Sequence, residues 1–191
     1  EMIADCLAEL MTGVLGYLRF AAQGGDWGAF VTSRLGHAYA DKLIGIHVNL
    51  LTVRRDPKML VNPTPEEQHF LGELEVWLKE EMGYQWIQGT RPQTLGYGLA
   101  DSPAGQAAWV VEKYQAWMDC DGHPENVLTR DELLDQVMLY WLPNSATSSA
   151  RLYWESFAKV NRETVEIPTG VSLFPKEIFR SSRRWAEERF T

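Results

Sequence analysis

The fold of this chain is decided by the stretch Gln23-Gly24-Gly25-Asp26-Trp27-Gly28-Ala29-Phe30. An apolar run, residues 17–22, precedes it, and a run compatible with a helix, residues 29–35, follows it. The pattern small-x-Asp-x-small between these runs has the spacing of a nucleophile elbow, in which a strand turns sharply into a helix and raises one side chain above the sheet. We therefore predict that Gly24 and Gly28 leave room for the turn and that Asp26 is the raised residue.

An aspartate at the raised position indicates a different chemistry from the more common serine. A serine forms an acyl-enzyme from an ester or amide, whereas a carboxylate suits an electrophilic sp3 carbon and forms an alkyl ester. Water can then attack the carboxyl carbon of Asp26 and release the product. Asp26 therefore favours epoxides or alkyl halides over peptides and lipids as substrates. The same five residues, Gly-Gly-Asp-Trp-Gly, are also compatible with an ordinary turn, because Gly and Asp are common turn formers.

Composition limits the classes of protein to which the chain can belong. Its 191 residues suit one domain, or one core with an insertion, and 45% hydrophobic residues are enough to fill that core. A net charge of −8 argues against a nucleic-acid partner. The two cysteines form no disulfide framework, which is compatible with a reducing compartment. No stretch approaches the roughly 18 to 20 apolar residues of a membrane span, but membrane attachment of a longer parent protein and the oligomeric state stay open.

The pattern of apolar residues predicts an α/β fold. Helical spacing extends over residues 2–16, where Gly16 ends the helix. A strand over residues 18–25, a helix over 28–36 and a buried strand over 42–50 form a β-α-β unit, which predicts parallel strands with a right-handed crossover.

A helical insertion is predicted to divide this core. Capping boxes at residues 64–67 and 129–132 begin two helices, and Gly83 is expected to end the first of them. Strand chemistry returns at residues 164–174, with pairing from Thr169 onward because Pro168 precedes it, and a last helix covers 181–189. We predict core segments at residues 1–55 and 161–191 and a helical cap at 56–160.

With these segments in view, the chain resembles the epoxide hydrolases of the microsomal type, which have the α/β-hydrolase fold. The resemblance rests on the elbow and on six further segments spread over nearly the whole chain. They are KEEMGY at 79–84, RPQTL at 91–95, LADSPAG at 99–105, VMLYW at 137–141, SSARLY at 148–153 and PTGV at 168–171. The implied fold is a partial α/β-hydrolase core with an inserted all-helical cap.

The resemblance also implies roles for individual residues. Asp26 would be the nucleophile, and Tyr84 and Tyr153 would be the two lid tyrosines that bind the epoxide oxygen. Glu177 would orient the catalytic histidine, and the amide of Trp27 would belong to the oxyanion hole. The implied reaction converts a small apolar epoxide and water into a vicinal diol without a metal or an organic cofactor. Considered without the resemblance, Tyr84 is more typical of a packing residue and Tyr153 of a core residue, and Glu177 is equally typical of a solvated loop.

Two parts of the family pattern are absent from these 191 residues. The His-Gly-x-Pro loop would precede Glu1, and the catalytic histidine would follow Glu177. The histidines that the chain does contain do not match that position; they are His37, His47, His69 and His123. We therefore expect an internal fragment with about three of the usual eight core strands, inactive by itself.

Two alternatives stay open at this point. A haloalkane dehalogenase shares the fold and an Asp-Trp pair, but the paired tyrosines and the region around Asp101 favour the epoxide interpretation. A non-catalytic relic that kept the cap and lost the base would also explain the absent histidine.

Overall fold

The computed structural model describes residues 1–51, 53, 60–156 and 163–191. The chain divides into two compact units, which are Glu1–Glu75 with Asn161–Thr191, here called the core unit, and Val76–Val160, here called the helical unit. The division falls inside a helix, so the predicted cap boundary near residue 56 stays a prediction. The predicted loop around residues 54–59 lies outside the described residues.

The core unit contains a parallel three-stranded sheet in the order β1-β2-β3. The strands are β1 (Phe20–Gly24), β2 (Leu43–Asn49) and β3 (Thr169–Ser172). Helix α2 (Trp27–Ala38) connects β1 to β2, which confirms the predicted β-α-β order. Pairing of β3 with β2 begins at Thr169, as predicted, and the carboxyl ends of all three strands meet at one edge because the strands are parallel.

Helix α2 packs on this sheet, helix α1 packs on α2, and both helices contribute to one apolar cluster. The predicted helix over residues 2–16 consists of α1 (Met2–Glu9) and a π-helical turn (Leu10–Val14), and Gly16, with φ +75°, follows its end. The buried apolar residues of this cluster are Ala4, Ala8, Phe20, Ala29, Leu35, Leu43, Ile46, Val48, Leu51, Val165 and Phe190.

The C-terminal segment is less helical than predicted. Helix α9 covers only Arg183–Ala186, where a helix over residues 181–189 was predicted. The reason is that Phe190 forms a β-bridge with Val165, and the amide of Thr191 donates to the carbonyl of Val165 at 3.0 Å. The backbone must leave the helix to make these bonds.

Helix α3 (Pro65–Glu80) is anchored to the C-terminal segment by a buried carboxylate. Its capping box is present as predicted, because the amide of Thr64 donates to Glu67 Oε2 at 2.9 Å and the amide of Glu67 donates to Thr64 Oγ1 at 3.2 Å. The fully buried Glu67 side chain also accepts hydrogen bonds from Ser182 Oγ at 2.6 Å and Arg184 Nε at 2.9 Å. These bonds, led by the one from Arg184, lower the pKa of Glu67 to about 2.

The described part of the helical unit contains helices and turns and no strand. Its helices after α3 are α4 (Gly83–Thr90), α5 (Pro92–Asp101), α6 (Pro103–Trp117), α7 (Arg130–Trp141) and α8 (Ala146–Ser156). The predicted capping box at Thr129 is confirmed. The prediction that Gly83 ends a helix is wrong, because α3 ends at Glu80 and Gly83 is the first residue of α4. Gly83 lacks the positive φ that is typical of a glycine stop. Among the described residues, no helix is both long and apolar enough to cross a membrane.

Candidate active site

Asp26 occupies the turn between β1 and α2. Its backbone has φ +47° and ψ −127°, a combination that few residues other than glycine adopt. Strain of this kind costs of order 1–3 kcal/mol and persists where the surrounding structure enforces it. The sharp turn places Asp26 at the carboxyl end of the parallel strands, where open α/β sheets bind ligands.

The two glycines of the elbow differ in how much space surrounds them. A Cβ added to Gly24 would lie 2.2 Å from the carbonyl oxygen of Gly28 and 2.6 Å from Thr32 Oγ1, so only glycine fits there. A Cβ added to Gly28 would meet open space beyond its chain neighbours and the backbone of its own helix. The prediction that both positions need a small side chain therefore holds for Gly24 and is wrong for Gly28, which comes close to Gly24 through its backbone carbonyl.

The amide of Trp27 points at the carboxylate of the preceding residue. Trp27 N donates to Asp26 Oδ1 at 2.6 Å. Partial burial raises the pKa of the Asp26 carboxyl above its usual value, and this hydrogen bond opposes the rise. One carboxylate oxygen is thus held by the backbone, and the side chain keeps solvent-exposed surface.

Two polar side chains, which the sequence pattern did not predict, support the elbow. Gln23 Nε2 donates to Asn49 Oδ1 at 3.0 Å, and a Cβ on Gly25 would lie 2.4 Å from Asn49 Nδ2. Asn49 ends β2 beside the end of β1. A polar residue at the carboxyl end of a largely apolar strand was the available signal for this contact.

Glu177 lies beyond the end of β3, in the loop where the sequence placed it. Its Oε2 accepts a hydrogen bond from the amide of Leu50 at 3.1 Å, and its Oε1 accepts one from the amide of Ile178 at 3.2 Å. Leu50 directly follows β2 and has φ +62°. Burial raises the pKa of Glu177, the two amides oppose the rise, and the negative charge of Asp26 adds to it. The carboxylates of Asp26 and Glu177 therefore interact electrostatically at the same edge of the sheet.

Each of the four histidines in the chain contacts a residue other than Asp26 or Glu177. His37 contacts the carboxylate of Glu163 through Nε2, and His123 caps a short 3-10 helix. His69 lies 3.4 Å from a carboxylate oxygen of Glu73, its neighbour on α3. His47 Nε2 lies 3.0 Å from Ser172 Oγ, in a groove of about 550 Å³ that residues of the three strands line. Among the described residues, no group of three His, Cys, Asp or Glu side chains is arranged to hold a metal ion.

The two predicted lid tyrosines meet within the helical unit. Tyr84 on α4 and Tyr153 on α8 are in edge-to-face contact, with ring centroids 5.8 Å apart and planes at 80°. Tyr84 also contacts the ring of Trp117 at 5.3 Å. Both tyrosines are half-buried. The structure thus brings the two residues together, while their approach to Asp26 stays a prediction.

Comparison with known proteins identifies relatives of the whole segment. No family model matches the chain. A protein of Stigmatella aurantiaca described as a candidate epoxide hydrolase is 47% identical over 190 residues, which cover 99% of this chain and 43% of the relative. The juvenile hormone epoxide hydrolase of Bombyx mori is 36% identical over 82% of this chain and 40% of its own length.

Solved structures give the same result for the fold. The crystal structure of the Bombyx mori enzyme matches with a TM-score of 0.86 and 32% identity, over 98% of this chain and 50% of that one. The Aspergillus niger epoxide hydrolase matches with a TM-score of 0.83 and 30% identity, over 98% of this chain and 48% of that one. The chain therefore spans about half the length of the relatives it matches. These similarities confirm the predicted resemblance, and the chain belongs to the epoxide hydrolases of the α/β-hydrolase fold.

Proposed function

We propose that this chain supplies the nucleophile, the lid tyrosines and the orienting acid of an epoxide hydrolase. The whole protein would convert a small apolar epoxide and water into a vicinal diol. The observation that carries the proposal is Asp26 in a strained elbow, with one carboxylate oxygen held by the amide of Trp27. The names of the relatives support the epoxide as substrate class.

In the first step Asp26 opens the ring. The free oxygen, Oδ2, attacks an epoxide carbon, so that an ester C–O bond forms while the C–O bond of the ring breaks. The ring oxygen leaves with the bonding electrons, and a phenol of Tyr84 or Tyr153 donates a proton to it, which is general-acid assistance to a poor leaving group. The edge-to-face contact of the two rings is consistent with two donors that converge on one oxygen.

In the second step water attacks the carboxyl carbon of Asp26. The carbonyl oxygen of the ester then becomes an oxyanion. Oδ1 is the oxygen that accepts the Trp27 amide in this structure, so the donor is already in place for the charge that develops there. Collapse of the intermediate breaks the bond between the carboxyl carbon and the ester oxygen, and this leaving oxygen takes the proton that the base removed from the water. The second proton of the water passes to the phenolate, so the diol leaves and both the phenol and the Asp26 carboxylate are regenerated.

The attacking water needs a base, which we assign to a histidine of the whole protein outside these 191 residues. Glu177 would accept a hydrogen bond from this histidine and stabilise its protonated form. The bonds from the Leu50 and Ile178 amides fix the Glu177 carboxylate, which is what an orienting residue requires.

The two alternatives, a haloalkane dehalogenase and a non-catalytic relic, have less support. The relatives named above, from Stigmatella aurantiaca, Bombyx mori and Aspergillus niger, are all described as epoxide hydrolases, and this supports the epoxide over the alkyl halide. A relic would not be expected to keep the strained elbow, since backbone strain is retained where function requires it.

Rapid quenching tests the proposal in the whole protein. A styrene-type epoxide mixed with excess enzyme and quenched before turnover should add its mass to the peptide that contains Asp26. Asp26→Ala should abolish the adduct. Tyr84→Phe combined with Tyr153→Phe should slow its formation by at least the roughly 10²-fold expected of general-acid help. Tyr97→Phe is the matched control, because this ring is 70% exposed and has no proposed role.

An unchanged rate in the double phenylalanine variant would contradict the assigned role of the tyrosines. Release of halide from a chloroalkane would favour the dehalogenase instead.

A further inference from the structure

Lys113 is the centre of a compact cluster in the helical unit. Its Nζ lies 5.3 Å from the ring centroid of Tyr84 and 5.1 Å from that of Trp117, within the range of a cation–π contact. The Lys113 side chain is only 21% exposed, which is unusual for lysine and increases the strength of such contacts.

Two carboxylates hold the ammonium in place. Glu81 Oε2 lies 3.1 Å from Lys113 Nζ and also accepts a hydrogen bond from Trp117 Nε1 at 3.1 Å. Glu112 lies 2.9 Å from the same Nζ, but its side chain is 56% exposed and therefore better screened by water. Glu81, 23% exposed, is the stronger anchor and connects the lysine to the indole.

We propose that Lys113 is a positioning residue for Tyr84, and this inference rests on the proposed function. Lys113 and Glu81 fix the rings of Tyr84 and Trp117 relative to one another, so that the Tyr84 hydroxyl keeps one direction. The ammonium over the ring also attracts electron density from the phenol. This attraction makes the Tyr84 hydroxyl a stronger donor. It also stabilises the negative charge that develops on the phenol oxygen when the proton moves to the epoxide oxygen.

The inference predicts an effect on one chemical step. Lys113 acts through the donor that assists ring opening, whereas hydrolysis of the ester depends on the oxyanion donor and the base. Lys113→Met in the whole protein should slow formation of the Asp26 ester by roughly tenfold, the scale of one partly desolvated cation–π contact. The rate of ester hydrolysis should stay unchanged. Lys113→Arg should restore most of the rate of ester formation, because a guanidinium also stacks on aromatic rings and pairs with carboxylates.

A double-mutant cycle with Tyr84→Phe separates positioning from a general effect on the fold. The phenylalanine ring keeps the packing and lacks only the hydroxyl. Lys113→Met should therefore slow ester formation little when Tyr84 is already replaced by phenylalanine. Lys79→Met is the matched control, since Lys79 is 80% exposed and pairs only with its neighbour Glu80 among the contacts described. Lys113→Gln is the second variant if Lys113→Met does not fold, and the same slowing is expected of it.

The outcomes distinguish this inference from the proposed function. If the roughly tenfold cost of Lys113→Met is the same with Tyr84 and with phenylalanine, or if Lys79→Met has an equal effect, the inference is overturned and the proposed function stands. If Tyr84→Phe itself leaves ester formation unchanged, the assigned role of Tyr84 fails and the inference fails with it.

Discussion

The two glycines of the elbow provide a matched pair of substitutions with opposite expected effects. A Cβ at Gly24 would lie 2.2 Å from the carbonyl oxygen and 2.4 Å from the carbonyl carbon of Gly28, and backbone atoms cannot move aside as a flexible side chain does. Overpacking of this kind costs about 3 kcal/mol, because β1 and the start of α2 must separate. We therefore expect Gly24→Ala to destabilise the protein and to distort the turn at Asp26.

Gly28→Ala should do the opposite. Its Cβ would meet open space beyond its own helix, and Gly28 lies in the first turn of α2, where alanine is a better helix former than glycine by about 0.5 kcal/mol. The free energies of unfolding of the two variants should then differ by more than about 3 kcal/mol.

Urea denaturation of the whole protein measures this difference, and rapid quenching reports whether the Asp26 ester still forms. Gly25→Ala gives an intermediate case, because its Cβ would contact the movable side chain of Asn49 rather than backbone. A Gly24→Ala variant as stable as the unchanged protein, or a Gly28→Ala variant that is equally damaged, would refute the steric argument for the elbow.

Three further predictions concern charge and turnover. Arg184→Met should destabilise the protein near neutral pH, because it leaves the buried Glu67 carboxylate without its guanidinium. The difference measured in urea should shrink as the pH falls from 4.5 toward 2, where Glu67 becomes protonated. Asp26→Asn should be more stable than the unchanged protein at pH 7, because the raised pKa of Asp26 means that its ionisation opposes folding. In thermal melts this gain in stability should disappear below pH 3.8, where Asp26 is protonated in both the folded and the unfolded protein. The 191-residue polypeptide alone should not produce diol in multiple turnovers, and chromatographic detection of continued diol formation would reveal a base that we have not assigned.

Local sequence patterns predicted those parts of the structure that depend on neighbouring residues. Gly24 and Asp26 indicated the turn because a sharp strand-to-helix connection needs a small residue at a fixed distance. The capping boxes at Thr64 and Thr129 were predictable because both partners lie three residues apart. Pro168 located the start of β3 through the amide that proline lacks.

Contacts between distant residues could not be predicted in this way. The bond between the Leu50 amide and Glu177 joins residues 127 positions apart, and a leucine with positive φ has no sequence signal. Lys113 reaches Glu81 across 32 positions, and by itself it resembles any other lysine on a helix. Position within the tertiary structure, rather than residue type, gives these side chains their proposed importance.

The central claim is that Asp26 forms an ester and that water attacks its carboxyl carbon. A single turnover in ¹⁸O-labelled water, with the whole protein in excess over the epoxide, tests this claim most directly. Mass spectrometry should find the label in the carboxylate of Asp26 and none in the diol, whose new oxygen comes from Asp26 itself. A labelled diol with an unlabelled Asp26 would show that water attacks the epoxide directly, and it would contradict the account.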